Sequence, residues 1–232
     1  VYVLGQHLNA LAPDHTIAWS SEQDFESGAT LAINEEGLAV VGNGANVYVY
    51  RPDGQLWWKA TVKNIQRFTG AAIGKNDILY FGSDNGVLYA LYNNGETRWN
   101  VGVSPTLKID PVIDDQGNVY IGSDMLNVLN SDGKAIRGFP VHLTSTPALA
   151  SDGSVVLTSD DGHVYSVRSD ASEKWETDTH QHLNSSPAIA PNGTVYVLTD
   201  EGHLIAISDD NGGLIDSPWP KYHRDAANSA AE

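Results

Sequence analysis

Cysteine is absent from this 232-residue chain. Its absence excludes a disulfide framework, a thiolate metal centre and a cysteine nucleophile together. Basic residues are scarce: 13 Lys and Arg stand against 29 Asp and Glu, for a formal net charge of −16. A surface of that sign repels phosphate backbones and anionic membrane surfaces, so nucleic-acid binding is not expected. No apolar run reaches the ~18 residues of a membrane-spanning helix, so no membrane insertion is expected either. Helical periodicity is missing throughout, and no serine elbow, phosphate-binding loop or zinc-protease spacing occurs. The chain opens on Val1 with no signal peptide, which leads to the expectation that a leader or upstream region has been removed.

What the chain does have is repetition. The stretch Asn76-Asp-Ile-Leu-Tyr-Phe-Gly-Ser-Asp-Asn-Gly-Val-Leu-Tyr-Ala-Leu91 returns around Gly117–Asp124, Gly153–Val167 and Gly193–Ile207. Asp84, Asp124, Asp160 and Asp200 align at intervals of 40, 36 and 40 positions. A fixed period of ~40 residues marks a supersecondary unit that buries its apolar face only by stacking on its copies. Within a unit the apolar period is 2, as in Val195, Val197 alternating with Tyr196, Leu198, so the runs read as strands. Ser83-Asp-Asn-Gly86 and Ser159-Asp-Asp-Gly162 read as tight hairpin turns.

Four strands per unit follow, labelled A to D. Strand A carries small residues, as in Ser145-Thr-Pro-Ala-Leu149 and Ser185-Ser-Pro-Ala-Ile189, and suits the innermost position. Strand D ends near Trp58, Trp99 or Trp175, and a tryptophan there can cover the neighbouring sheet. The pattern is that of an all-β propeller built from four-stranded antiparallel blades. The run Ser-Pro-Ala-Ile, then Gly-Thr-Val-Tyr-Val, then Ser-Asp-Asp-Gly-His-Val-Tyr, then a turn and Trp resembles the PQQ-like, quinoprotein-type β-propeller repeats of bacterial secreted and envelope proteins. Ser217-Pro-Trp-Pro-Lys-Tyr-His-Arg-Asp225 resembles the signature that marks the ends of such propellers. The resemblance implies an extracellular or periplasmic location in a bacterium. It does not imply the quinone, because the vicinal cysteine pair of the quinoprotein dehydrogenases is missing.

A single domain over 1–232 is expected, with units at about 24–63, 64–103, 104–143, 144–180 and 181–219. Residues 1–23 hold only strands B, C and D of another unit, and the tail, residues 220–232, is expected to supply its strand A and close a six-bladed ring. The alternative is a piece of a seven- or eight-bladed propeller.

Three residue sets carry possible chemistry. The repeated aspartates could hold Ca²⁺, but Asp at a hairpin turn already has a backbone task, and no cofactor is expected. His7, His163 and His203 open strand C, while His142, His180, His182 and His223 fall in D–A connections. With the B–C turns these form one face; only His15 lies on the other. Imidazoles gathered there could bind a metal, act as acid or base, or form a pH-dependent patch. Trp57, beside Trp58, is expected to point outward, because adjacent strand residues face opposite ways. The reading is a non-enzymatic, monomeric binding or scaffolding module that presents His7, His142, His163, His182, His203, His223, Trp57 and Arg67 to a protein or polysaccharide. The alternative is a carbohydrate-active lyase or hydrolase, which needs His, Tyr and Arg to converge in one cleft.

Overall fold

Turns and period-2 strands lay the chain out as six consecutive antiparallel sheets in the computed structural model, which describes residues 1–34 and 36–222. The first sheet holds β1 (Tyr2–Leu4), β2 (Leu8–Leu11) and β3 (Ile17–Ser20). The second holds β4 (Thr30–Ile33), β5 (Ala39–Asn43), β6 (Asn46–Tyr50) and β7 (Leu56–Thr61). In the third lie β8 (Phe68–Ile73), β9 (Leu79–Ser83), β10 (Val87–Leu91) and β11 (Thr97–Gly102). The fourth comprises β12 (Val112–Ile113), β13 (Val119–Gly122), β14 (Leu126–Leu129) and β15 (Ala135–Phe139). In the fifth are β16 (Ala148–Leu149), β17 (Val155–Thr158), β18 (His163–Val167) and β19 (Glu173–Asp178). The last has β20 (Ala188–Ile189), β21 (Val195–Leu198) and β22 (Leu204–Ile207). Strands pair in chain order within each sheet, the up-and-down arrangement of a propeller blade.

Burial follows strand position. The inner strands β5, β9, β13 and β17 are buried along their whole length, whereas β7, β11, β15 and β19 alternate between exposed and half-buried residues. The core therefore lies between sheets, where Leu79, Phe81, Leu88, Ile121, Leu126 and Leu157 are excluded from solvent.

A repeated clasp joins neighbouring sheets. Trp19, Trp58, Trp99 and Trp175 lie opposite Ala10, Val49, Ala90 and Ser166, each just before a β-bulge. The indole N–H of Trp19 donates to the Pro52 carbonyl at 2.8 Å, that of Trp58 to Asn93, and that of Trp99 to Ser131 at 3.0 Å. Each acceptor sits in the turn before the outermost strand of the following sheet. The same turns place Gly54, Gly95 and Gly133 at positive φ, and a Cβ on them would lie 2.7, 3.0 and 2.9 Å from the ring of Trp19, Trp58 and Trp99. Glycine is needed there both for the turn and to let the ring lie flat on the backbone. Between the fifth and last sheets the clasp is ionic: Lys174, which also meets Asp152 of its own sheet at 2.9 Å, reaches Asp209 at 2.9 Å and Asp210 at 3.2 Å.

The last unit departs from expectation. Trp219 does not end a fourth strand of the last sheet. Residues 211–220 instead run across the inner strands of the fourth and fifth sheets. Ile113 donates to the Trp219 carbonyl at 2.6 Å, Leu149 to Pro220 at 2.8 Å, and Ile215 to Leu149 at 3.0 Å. Free inner edges invite association, so a chain segment that satisfies them also buries Trp219, which is 2% exposed. The tail expected to complete the first sheet begins in this segment, and its residues 223–232, with His223, lie outside the described residues, as does Glu35. The two end sheets each turn an apolar face outward, with Val3 47% and Ile17 63% exposed on the first and Leu198 47% and Leu204 68% on the last. Among the described residues no strand pairing links these two sheets.

The clasp is directly testable. Gly133→Ala should lower unfolding free energy by about 1–3 kcal/mol, because the new methyl meets the Trp99 ring in a strained backbone conformation. In a Trp99→Ala background the same change should cost clearly less, giving a coupling above about 0.5 kcal/mol in a denaturant double-mutant cycle. An equal penalty in both backgrounds would assign the whole effect to backbone strain.

Candidate functional site

Strand alternation puts the B–C turns and D–A connections at one end of the sheets, and their backbones are tied together by a repeated bond. The amide of Asp84 donates to the Arg67 carbonyl at 3.2 Å, that of Asp160 to His142 at 3.3 Å and that of Asp200 to His182 at 3.0 Å. Arg67, His142 and His182 thus occupy one structural position. Their main chains are fixed and their side chains are exposed. The Asp84 carboxylate also accepts the amides of Gln66 at 3.1 Å and Arg67 at 3.3 Å. Among the described residues, no group of three or more His, Asp or Glu side chains is placed to share a metal ion.

The histidines sit mostly beside carboxylates of their own neighbourhood. His7 lies 3.5 Å from Asp24, His142 3.4 Å from Asp124 and His180 2.7 Å from Asp178. His203 Nδ1 is 3.1 Å from the side-chain oxygen of Gln181. The tightest gathering lies around the fifth sheet, where Asp160, Asp161, His180, Gln181 and His182 line a cavity of about 200 Å³. His163 Nδ1 stands 3.3 Å from Asp161, its ring stacks on Tyr165, and the Tyr165 hydroxyl donates to Asp161 at 2.9 Å. Burial is the largest single influence and opposes protonation of His163, but Asp161, Asp178 and Glu176 together outweigh it and hold the imidazole above its ordinary value. Burial and the same carboxylate push Tyr165 up to about 12. Among the described residues no Arg or Lys forms a hydrogen bond or ion pair with this His–Tyr pair. Trp57 is remote from the loop face, on outer strand β7. It is 37% exposed, with the Arg51 guanidinium 5.7 Å from its ring, while Trp58 turns inward. Arg67 lines a separate cleft of about 160 Å³ with Asp84, Lys108 and Asp110.

A second feature of this face is absent from the sequence expectations. The inner strand ends surround a cavity of about 580 Å³ walled by Thr30, Thr146, Ser185, Ser186, Tyr222 and Asp110. Bonds run from sheet to sheet around it: Gly70 N–H to Asp110 Oδ1 at 2.5 Å, Asp110 N–H to Thr146 Oγ1 at 3.0 Å, and Ser145 Oγ to the Ser185 carbonyl at 2.9 Å. Gly70 has no room for a side chain, since a Cβ would lie 2.3 Å from Asp110 Oδ2. Asp110 precedes Pro111 as Thr146 and Ser186 precede Pro147 and Pro187, so an acid at a hydroxyl position was the signal available in the sequence. Burial raises Asp110 to about 6, with the Gly70 amide partly opposing it.

Because its folded pKa of about 6 exceeds the ordinary 3.8, the folded protein holds the Asp110 proton more tightly than the unfolded chain does. Its contribution to stability is full below about pH 4, is lost as pH rises towards about 6, and is then constant. Asp110→Asn keeps an oxygen for the Gly70 amide and removes the ionisation. Denaturant midpoints should therefore show the variant more stable at pH 7, by about 2–3 kcal/mol, with the advantage vanishing near pH 4.

Comparison with known proteins agrees with this architecture. No curated protein sequence matches the chain. Among solved structures, BamB from Moraxella catarrhalis superimposes with a TM-score of 0.76 at 14% identity, over 94% of this chain and 73% of that one. The WD40 β-propeller domain of Doa1 gives 0.70 at 13% identity over 88% and 72%. A protein of unknown function from Bacteroides caccae gives 0.59 at 14% identity over 90% of each chain. At such identities the likeness establishes the propeller fold. The family profile described as outer membrane protein assembly factor BamB matches residues 43–139 and 124–226, and the chain belongs to that family of PQQ-like-repeat propellers.

Proposed function

We propose that this chain is a non-enzymatic recognition module of the bacterial envelope that presents its B–C turns and D–A connections to a protein partner. The observation that carries this reading is the repeated bond under Arg67, His142 and His182: it fixes the backbone of three of the connections while leaving different side chains exposed. Loops of that kind on a rigid scaffold suit recognition, since little order has to be imposed on binding. Membership of the BamB family, whose profile is named for outer membrane protein assembly, supports a protein partner and an envelope location. His7, His163, His203 and the exposed ring of Trp57 extend the contact set around and beyond this face, with His223 assigned to it by its sequence position. The strongly acidic surface favours a partner with complementary basic patches and makes association sensitive to salt.

The lyase or hydrolase alternative requires a His, a Tyr and a cationic side chain in one cleft. His163 and Tyr165 meet, but their shared partner is Asp161, which stabilises the charged imidazole rather than neutralising a uronate. The scaffold reading fits this arrangement better.

Photo-crosslinking in cells separates the readings. A benzophenone side chain at position 142 or 182 should capture a discrete protein partner, whereas the same probe at Asp53 or Asp132, in turns at the opposite end of the sheets, should not. Arg67→Glu with His182→Glu should reduce the captured yield at 142 by 10-fold or more without changing the unfolding midpoint. Equal capture from both ends, or turnover of a uronate polysaccharide lost on His163→Ala, would overturn the proposal.

A further inference from the structure

The fourth sheet breaks the pattern that clasps its neighbours. Arg137 stands opposite Val128 just before the bulge, where Trp19, Trp58, Trp99 and Trp175 stand in their sheets. Across the gap, the matching turn of the fifth sheet carries Ala171 at φ 66° in place of Gly54, Gly95 or Gly133. The ring and the Cβ-free seat are thus replaced together, and the room they leave is a cavity of about 420 Å³. That size falls in the ~300–1,000 Å³ range of ligand pockets.

Its walls suit an aromatic guest. Leu149, Ile215 and the 48% exposed Ile136 provide apolar surface. Arg137 donates to the Tyr120 hydroxyl at 3.2 Å and forms no ion pair among the described residues, so the face of its guanidinium is available to stack on a ring. The Tyr120 hydroxyl donates on to Asp114, which already accepts from the amides of Gln116 and Asn118 and from the Asn118 side chain. The carbonyl of Ser169 corresponds to those of Pro52, Asn93 and Ser131, which receive indole N–H groups, yet no described residue donates to it. Asp115 and Asp170 also line the cavity and disfavour an anionic guest.

We propose that this slot receives a tryptophan side chain from another polypeptide, its ring between the Arg137 guanidinium and the 168–171 turn and its N–H donated to the Ser169 carbonyl. The chain's own clasps are the template: three indoles already occupy the same seat in the same fold. The Ala171 methyl moves the guest outward by up to about 1 Å, from the 2.7–3.0 Å approach seen over the glycines to ordinary contact. A ring not tied to β15 can make that shift, whereas one grown from position 137 cannot. The slot opens among the A–B and C–D turns, so it is independent of the loop face assigned above.

The test is a ¹⁹F NMR titration of the full chain into acetyl-Gly-(5-fluoro-Trp)-Gly-amide. The resonance should broaden and shift saturably, with a dissociation constant on the order of 1 mM for so small a probe. Arg137→Trp combined with Ala171→Gly rebuilds the internal clasp; it should raise the melting temperature and weaken peptide binding at least 10-fold. Ile136→Lys, at an exposed rim position, should weaken binding several-fold with no loss of stability, which covers the case of a double variant that does not fold. Absence of saturable broadening for the unmodified chain, or unchanged binding in both variants, would each overturn the proposal.

Discussion

Each sheet of this protein is short, and no sheet can bury its own faces. Contact between successive sheets is therefore the constraint on which the rest depends, and the indole laid on a turn glycine is its most specific expression. One tryptophan covers apolar surface, satisfies its N–H on the next sheet's turn and sets the distance between the two. The glycine opposite answers a local demand for positive φ and a tertiary demand for a missing side chain at the same atom. Because the two demands coincide, the turn residue and the ring behave as a pair, and the junction of the fourth and fifth sheets shows both members changed at once.

The same logic of mutual support holds at the centre and at the loop face. Inner strands would present unpaired edges to the channel, and residues 211–220 satisfy part of them while burying Trp219. Around the cavity, Asp110 accepts from one sheet through its side chain and donates to the next through its backbone. At the loop face, Asp84, Asp160 and Asp200 tie each B–C turn to its neighbouring connection. A scaffold held in this way can vary Arg67, His142 and His182 without altering their mounting, which is how a repeat fold combines rigidity with recognition.

Much of this was legible in the residues alone, because it depends on short-range rules. Alternation exposed the strands, Gly and Asp exposed the turns, and the neighbouring pair Trp57 and Trp58 had to face opposite ways on one strand. The repeated aspartates were readable as turn residues for the same reason. Trp219 was not readable: it closes the unit expected over 181–219, and nothing local distinguishes a blade tryptophan from one that pairs with Ile113 more than 100 positions earlier. Asp110 looked like one more residue before a proline until the fold closed Gly70 over it. His7, His163 and His203 shared a repeat position in sequence and His142 a connection, but pairwise distances to Asp24, Asp161, Gln181 and Asp124 depend on loop paths that periodicity does not specify.

Interactions between residues near one another in the chain are enough to set the blade: its strand order, its turns, its small inner strand and its aromatic outer one. Tertiary structure alone decided which side chains meet across blades, which inner edges the 211–220 segment covers, and that Arg137 and the turn carrying Ser169 and Asp170 line one open slot. The physical reason is that a repeat specifies each unit almost identically, whereas the space between two units is a property of both. A single departure such as Arg137 is silent within its own strand and acquires meaning only from what stands opposite.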